Sequence, residues 1–207
     1  MSPKPWALVP AKGFARGKSR LAPLLGAAER EALAHGFFAH MLDVLGASDV
    51  LGSAMIVTDC EVVAELARRR GALAVRDEAS SLSGIVDAAL VRIHGLGPRG
   101  VLVFMSDLPD IAPRDVRDLA RGIEELDVVV APDLRQEGTN ALAIAPSRRF
   151  PTCFGHADSF ARHLARASAL GLRVKAHASE RLGFDVDLPS DLISLRNRNR
   201  ASWAGSV

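Results

Sequence analysis

The stretch Trp6-Ala7-Leu8-Val9-Pro10-Ala11-Lys12-Gly13-Phe14-Ala15-Arg16-Gly17-Lys18-Ser19-Arg20-Leu21 sets the reading of this chain. An apolar run, Trp6 to Val9, feeds a loop with four cations and two glycines, and an apolar, helix-like segment follows. Such a loop suits a polyphosphate. Glycines let backbone amides approach phosphate oxygens, and Lys and Arg offset the charge. It is not a Walker A loop, because three residues rather than four lie between its glycines, and it is not G-x-G-x-x-G. A solvated basic loop after a first strand is the alternative.

Outward from this stretch, short apolar runs alternate with segments of helical periodicity. Strands are expected at 6–10, 54–58, 73–75, 101–105, 127–131, 141–145, 173–176 and 183–186. Helices are expected at 28–45, 61–70, 84–94, 113–124 and 159–170. Leu33, Phe37, Phe38, Met41, Leu42 and Leu45 would form one face of the first helix. Pro113 suits a first helical turn with Asp110 as its cap, and Ser159 or Asp158 would cap the last helix. This alternation predicts an α/β fold with a mostly parallel sheet between helical layers. Its ligands belong at the edge where the strands end.

Bulk properties narrow the function. The 207 residues suffice for one well-buried domain, with 48% hydrophobic and 24% charged residues, as in ordinary globular proteins. A net charge of +2 and 5% aromatic residues give neither the basic stripe nor the stacking platform of a nucleic-acid binder. Cys60 and Cys153 lack metal-ligand spacing. No signal peptide and no bilayer-spanning run is evident, so a cytoplasmic protein without membrane partners is expected. A flexible tail is expected over 196–207.

Four further segments carry chemistry. Val101 to Met105 is an apolar strand that delivers Ser106-Asp107-Leu108-Pro109 to the ligand edge, where an acid can hold a hard cation bridging phosphates. In Gly183-Phe184-Asp185-Val186-Asp187-Leu188-Pro189-Ser190-Asp191-Leu192, an extended backbone would project Asp185 and Asp187 to one side. Their mutual repulsion favours a Mg²⁺ site shared with Asp107. Asp187 also reads as a helix cap, and Asp191 as first-turn charge. Glu137-Gly138-Thr139-Asn140-Ala141-Leu142 places small hydrogen-bonding groups before a strand, as an anion site or as a plain turn. Phe154-Gly155-His156-Ala157-Asp158-Ser159-Phe160-Ala161-Arg162-His163 brings a glycine loop to a helix start, whose amides attract carboxylate or phosphate. His156 and His163 are either structural or acid/base groups.

Taken in order, V-P-x-K-x-x-x-x-x-K-S-R-L, S-D-L-P, G-T-N-A-L, F-G…S-F-x-R-H and D-V-D-x-P-x-D-L make the chain resemble the guanylyltransferases of deazaflavin coenzyme F-420 biosynthesis. These are related to the molybdenum-cofactor guanylyltransferases, and the resemblance runs from Trp6 to Leu192. It implies a Rossmann-like, three-layer nucleotidyltransferase domain over 1–195. The reaction implied joins the guanylyl group of GTP to a small phosphorylated carboxylic acid: phospholactate, phosphoenolpyruvate or 3-phosphoglycerate. By resemblance, Lys12, Lys18 and Arg20 handle the triphosphate and, with Asp107, form the catalytic set. Gly13, Gly84, Asp87 and Ser106 complete the nucleotide site, and Asp107, Asp185 and Asp187 hold Mg²⁺. Thr139, Gly155 and Ser159 hold the acceptor carboxylate, with His156 near an acceptor hydroxyl.

The chain departs from the family pattern in three places. Ser106 replaces a glycine, Asp87 replaces an asparagine in the base-binding segment Ser83 to Leu90, and the 155–159 loop is one residue longer. Asp87 can accept from guanine N1 and N2, so guanine selection is compatible with the change. Another Mg²⁺-dependent nucleotidyltransferase of this fold and a non-catalytic nucleotide-binding protein are the alternatives. A homodimer is compatible with the pattern.

Overall fold

The computed structural model describes residues 3–76, 79–146 and 148–204, with side chains described to residue 198. Seven strands form one sheet: β1 (Trp6–Pro10), β2 (Ser53–Thr58), β3 (Leu73–Arg76), β4 (Val101–Phe104), β5 (Val128–Pro132), β6 (Thr139–Ile144) and β7 (Val174–Ala176). Their order is β3-β2-β1-β4-β6-β5-β7. β6 pairs antiparallel with both β4 and β5, and the other pairings are parallel. The helices are α1 (Ala27–Gly46), α2 (Glu61–Arg69), α3 (Leu82–His94), α4 (Pro113–Glu125), α5 (Ser159–Ala169), α6 (Glu180–Gly183) and α7 (Pro189–Ala204). None of the described helices is long and apolar enough to cross a membrane.

Strand periodicity builds the layers. Alternate residues of a strand face opposite sides. Ala7, Val9, Leu102, Phe104, Ala141 and Ala143 therefore pack with α1, α2 and α4. Leu8, Val101, Val103, Leu142 and Ile144 pack with α3 and α5 on the other face. The expected mixed, mostly parallel sheet between helical layers is what forms.

Strand order places the site. From β1 the chain winds outward through β2 to β3, then returns to lay β4 on the other flank of β1. The crevice of such a sheet opens at this reversal, outside the carboxyl ends of β1 and β4. β1 ends in the cationic loop and β4 ends in Ser106-Asp107. Because β6 runs antiparallel, its start, Thr139-Asn140, lies at the same edge. Met105 N–H donates to Asn140 O at 2.9 Å there.

Several local expectations are corrected. Residues 183–186 form no strand. Gly183 closes α6, and its carbonyl accepts from Leu134 N at 2.9 Å and from Asn140 Nδ2 at 3.2 Å, so no ladder partner is needed. Asp110 does not cap α4; it pairs with Arg198 at 2.9 Å, and Asp115 Oδ2 accepts from Ala112 N at 3.0 Å instead. Asp158 occupies the cap position of α5, but its carboxylate pairs with Arg162 at 2.6 Å and makes no cap bond. The stretch expected to be a tail from 196 begins inside α7, which runs to Ala204; residues 205–207 lie outside the described residues.

Candidate active site

A cavity of about 380 Å³ opens at the crevice. Its walls include Lys12, Gly13, Arg16 and Lys18 from the loop after β1, Ser106 and Asp107 after β4, Asp187 before α7, and Leu82 and Ile85 from α3. Phe14 anchors the loop by packing on Phe38 of α1, with ring centroids 5.8 Å apart. Gly13 passes close to Cys60. A Cβ there would meet Sγ at 3.2 Å, so a side chain would push the loop away. Arg16 pairs with Asp59 and ties the loop to the β2–α2 turn. Lys12 is exposed at the mouth.

Lys18 is the centre of the charged site. Its backbone is left-handed (φ 56°, ψ 31°), a conformation disfavoured for residues with a side chain and concentrated at functional loops. Its ammonium is nearly buried and lies 2.6 Å from Asp107 Oδ2 and 3.0 Å from Asp187 Oδ1. Burial works to lower its pKa. The charges of Asp107 and Asp187 outweigh that and hold the ammonium above its ordinary value.

The carboxylates come together, but not on a strand. Phe184 and Val186 bury their side chains with Leu21, Leu25, Phe37 and Leu192. Of the alternate residues, Asp187 lines the cavity, whereas Asp185 lies behind it against Asn140. Asp185 Oδ1 accepts from Asn140 Nδ2 at 3.3 Å. Burial first, then the neighbouring charges of Asp107 and Asp187, push its pKa up to about 6. Among the described residues no three His, Cys, Asp or Glu side chains are gathered as a metal cluster. The Lys18 ammonium stands between two of the expected trio as their counter-ion. The raised pKa of Asp185 records the repulsion among three nearby acids, which positive charge placed among them would relieve.

The residues expected to hold the acceptor form a second group, with Thr139 and Ser159 buried and Gly155 and His156 exposed. Thr139 is buried at the start of β6, and its Oγ1 lies 2.9 Å from His163 Nδ1. Ser159 is buried at the start of α5, and its N–H donates to His156 O at 3.1 Å. Gly155 has φ +86°, a turn that favours glycine. Phe160 N–H donates to Glu137 O at 3.0 Å and joins this loop to the β5–β6 hairpin. His156 is exposed.

This architecture has known counterparts. Residues 6–198 match the model of the family described as "Guanylyl transferase CofC like". A phosphoenolpyruvate guanylyltransferase of Sphaerobacter thermophilus is 35% identical over 193 residues, 91% of each chain.

The chain belongs to the CofC-like guanylyl transferase family.

A 2-phospho-L-lactate guanylyltransferase of Methanothermobacter thermautotrophicus is 32% identical, covering 91% of this chain and 82% of that protein. A 3-phospho-D-glycerate guanylyltransferase of Phenylobacterium zucineum is 30% identical, with 91% and 88% covered. A crystal structure from Desulfovibrio desulfuricans G20, assigned as a nucleotide-diphospho-sugar transferase, superposes with a TM-score of 0.80 at 19% identity, over 96% of this chain and 88% of that one. It shares the fold. The chain is thus a nucleotidyltransferase by family, as the sequence motifs imply.

Within this family member, the expected residues divide. Lys12, Gly13, Lys18, Ser106, Asp107 and Asp187 line the cavity, whereas Arg20, Gly84, Asp87, Asp185, Thr139, Gly155, His156 and Ser159 do not. Arg20 is exposed on the short helical turn 19–21. Gly84 N–H donates to the α3 cap, Ser81 Oγ, at 3.1 Å. Asp87 Oδ1 accepts from Thr152 N at 2.9 Å.

Three residues with larger roles went unassigned from sequence. Asn140 Nδ2 reaches Leu182 O at 3.0 Å as well as Gly183 and Asp185, and so fixes the acidic turn to β6. Asp191 is more than first-turn charge. Its buried carboxylate accepts from Asp187 N at 3.1 Å and Leu188 N at 2.7 Å, and pairs with Arg135 at 2.7 Å. The spacing D-x-P-x-D was the available signal for this cap. His163 is fully buried, and the two groups at its ring nitrogens are far from it in sequence.

Proposed function

We propose that this protein transfers the guanylyl group of GTP to the phosphate of a small phosphorylated carboxylic acid, releasing pyrophosphate, on the route to coenzyme F-420. The observation that carries the reading is the meeting of Lys18 with Asp107 and Asp187 at the switch point of the sheet, beside a cavity walled by the cationic loop.

The triphosphate lies along the loop, with Lys12, Lys18 and Arg20 offsetting its charge and the Gly13 region admitting its oxygens. The base lies toward Ser106 and α3, the side of Gly84 and Asp87. Asp107, Asp185 and Asp187 would hold a divalent cation, Mg²⁺ in this reading, which would supply charge neutralisation. Lys18 then exchanges its carboxylate partners for phosphate oxygens. Thr139, Gly155 and Ser159 hold the acceptor carboxylate, with His156 at the rim.

An oxygen of the acceptor phosphate attacks the α-phosphorus in line. A new P–O bond joins acceptor and GMP, and the bond to the β-phosphate breaks as pyrophosphate leaves. The attacking oxygen is already ionised at neutral pH, so no general base is required. This accounts for a site rich in cations and acids but without an exposed His–carboxylate pair at its centre. Positioning and charge stabilisation do the rest.

The direct test is to incubate the protein with GTP, Mg²⁺ and each of phosphoenolpyruvate, 2-phospho-L-lactate and 3-phospho-D-glycerate. Pyrophosphate release and a product of acid-plus-GMP mass are expected with one or more of them. Absence of both products with all three acids overturns the reading.

A further inference from the structure

His163 has a hydrogen-bond pattern that fixes its proton. The backbone N–H of Cys153 can only donate, and it points at Nε2 from 2.8 Å. Nε2 is therefore the bare nitrogen of the ring and Nδ1 carries the hydrogen. Nδ1 faces Thr139 Oγ1 at 2.9 Å, and the ring also bonds the backbone of Ser159, so the Nδ1 hydrogen is directed at these two oxygens. The Thr139 hydrogen cannot point at a protonated Nδ1, and so it is left to donate elsewhere.

The surroundings hold this arrangement in one state. His163 is fully buried, with Phe154 edge-on at 4.9 Å and Phe150 at 5.9 Å between centroids. Burial, and then the nearby Arg166 charge, lower its pKa to about 4, so the ring is neutral at working pH. The segment that presents Cys153 N–H is itself pinned to α3. Ser83 Oγ donates to Phe154 O at 2.8 Å, and Thr152 N–H donates to Asp87 Oδ1 at 2.9 Å. The ring is thus clamped between β6 and an anchored loop, and moving its hydrogen from Nδ1 to Nε2 would set two donors against each other there.

From this geometry we infer that His163 is a positioning residue that makes Thr139 a dedicated hydrogen-bond donor and thereby selects a carboxylate oxygen in the acceptor. The inference rests on the proposed acceptor role of Thr139 and adds the group that dictates its polarity. A threonine hydroxyl is otherwise ambivalent, donor or acceptor as its partner demands. Once held by the imidazole it favours an anionic oxygen, because bonds to charged acceptors are the strong ones. His163 touches neither reactant; its effect passes through Thr139 Oγ1.

Paired substitutions separate the two ring nitrogens. Asn can return a donor near the Nδ1 position, whereas Gln can return an acceptor near Nε2. His163→Gln should therefore keep the Cys153 bond and lose the bond to Thr139, and His163→Asn should do the reverse. Steady-state pyrophosphate release is measured with GTP and whichever of the three acids the wild type uses. We expect His163→Gln to raise the acceptor KM by about 10-fold to 100-fold with the GTP KM within about twofold, and His163→Asn to recover most of that loss. Thr139→Val should copy His163→Gln, Thr139→Ser, which keeps a hydroxyl, should raise the acceptor KM less than Thr139→Val does, and the double variant His163→Gln/Thr139→Val should be no worse than either single one.

An unchanged acceptor KM in His163→Gln, equal rises in both KM values, or additive losses in the double variant would each overturn the inference while leaving the proposed reaction intact. Should His163→Gln fail to fold, Thr139→Val against Thr139→Ser decides alone: equal acceptor KM values overturn it. A wild type inactive with all three acids removes the proposed reaction, and the inference with it.

Discussion

The two halves of the candidate site are built on opposite principles. Around Lys18, charges meet at the open crevice: an ammonium between two carboxylates, a third carboxylate pushed toward neutrality, and cations at the mouth. Around His163, neutral groups lock together out of water through hydrogen bonds with fixed donors and acceptors. Charges at an open crevice can exchange partners when a polyanion arrives, because water and the ligand replace what is given up. A buried neutral network cannot exchange partners without leaving a polar group unpaired. The charged half is thus free to rearrange, and the neutral half is not.

The strongest way to break this contrast is at Asp107. Asp107→Asn should lower turnover by about 1,000-fold or more, with circular dichroism and melting behaviour close to wild type. Wild-type-like pyrophosphate release with Mg²⁺ in this variant would remove Asp107 from the metal site.

Acidity sharpens the contrast next, because the two halves respond to pH in opposite directions. His163 titrates near 6.5 in the unfolded chain and about 4 when folded, so the unfolded chain binds the extra proton between those values. Its contribution is complete above pH 6.5 and declines as pH falls toward 4, by about 3 kcal/mol in all. Asp185 moves the other way, from 3.8 unfolded to about 6 folded. Its contribution is complete below pH 3.8 and is lost as pH rises through 6. In the absence of divalent cations these slopes oppose each other. Denaturant unfolding at a series of pH values should therefore show Asp185→Asn losing stability toward acid more steeply than wild type, and His163→Asn less steeply. Parallel curves for all three proteins would contradict both assignments.

The same reasoning gives a smaller effect at fixed pH. Asp185→Asn should stabilise the metal-free protein near pH 8 by roughly 1 kcal/mol, because an ionised carboxylate in a half-buried acidic cluster is unfavourable. Activity should fall at the same time, as the cluster loses a metal ligand. Smallest of all, Arg135→Ala should cost under about 1 kcal/mol of stability, since Arg135 is 42% exposed and Asp191 keeps its two backbone donors. A loss several times larger in a melting experiment would make Arg135 a structural member of the acidic turn.

Much of the charged half was legible in the sequence. A cationic loop after an apolar strand and an acid after another are local patterns, and the switch-point rule places both at one edge. Asp185 and Asp187 do come near Asp107, but not by the extended strand that the sequence pattern suggests. Their alternation with Phe184 and Val186 orients them, but a small apolar cluster holds that segment rather than a ladder of strand bonds. Asp110 and Asp187 show the limit of reading caps from spacing. Each could cap by position, but Asp115 and Asp191 have the carboxylates that reach free N–H groups, while Asp110 is drawn to Arg198 and Asp187 to Lys18. The neutral half was far less legible. Nothing in G-T-N-A-L or in S-F-x-R-H says that Thr139 and His163 share a hydrogen bond.

The sequence by itself determined the alternating elements, the layered α/β class, the family and most residues of the charged site. Periods of 2 and 3.6 and the chemistry of short motifs are properties of neighbouring residues. Only the tertiary structure decided that β6 inserts antiparallel beside β4, carrying Thr139 and Asn140 to the ligand edge. It alone decided that Lys18 lies between Asp107 and Asp187, which are 89 and 169 residues away along the chain. It alone decided that His163 donates to Thr139 rather than accepting from it. These outcomes depend on strand order and on which buried polar groups are left to pair, and both are fixed only when the sheet has closed around them.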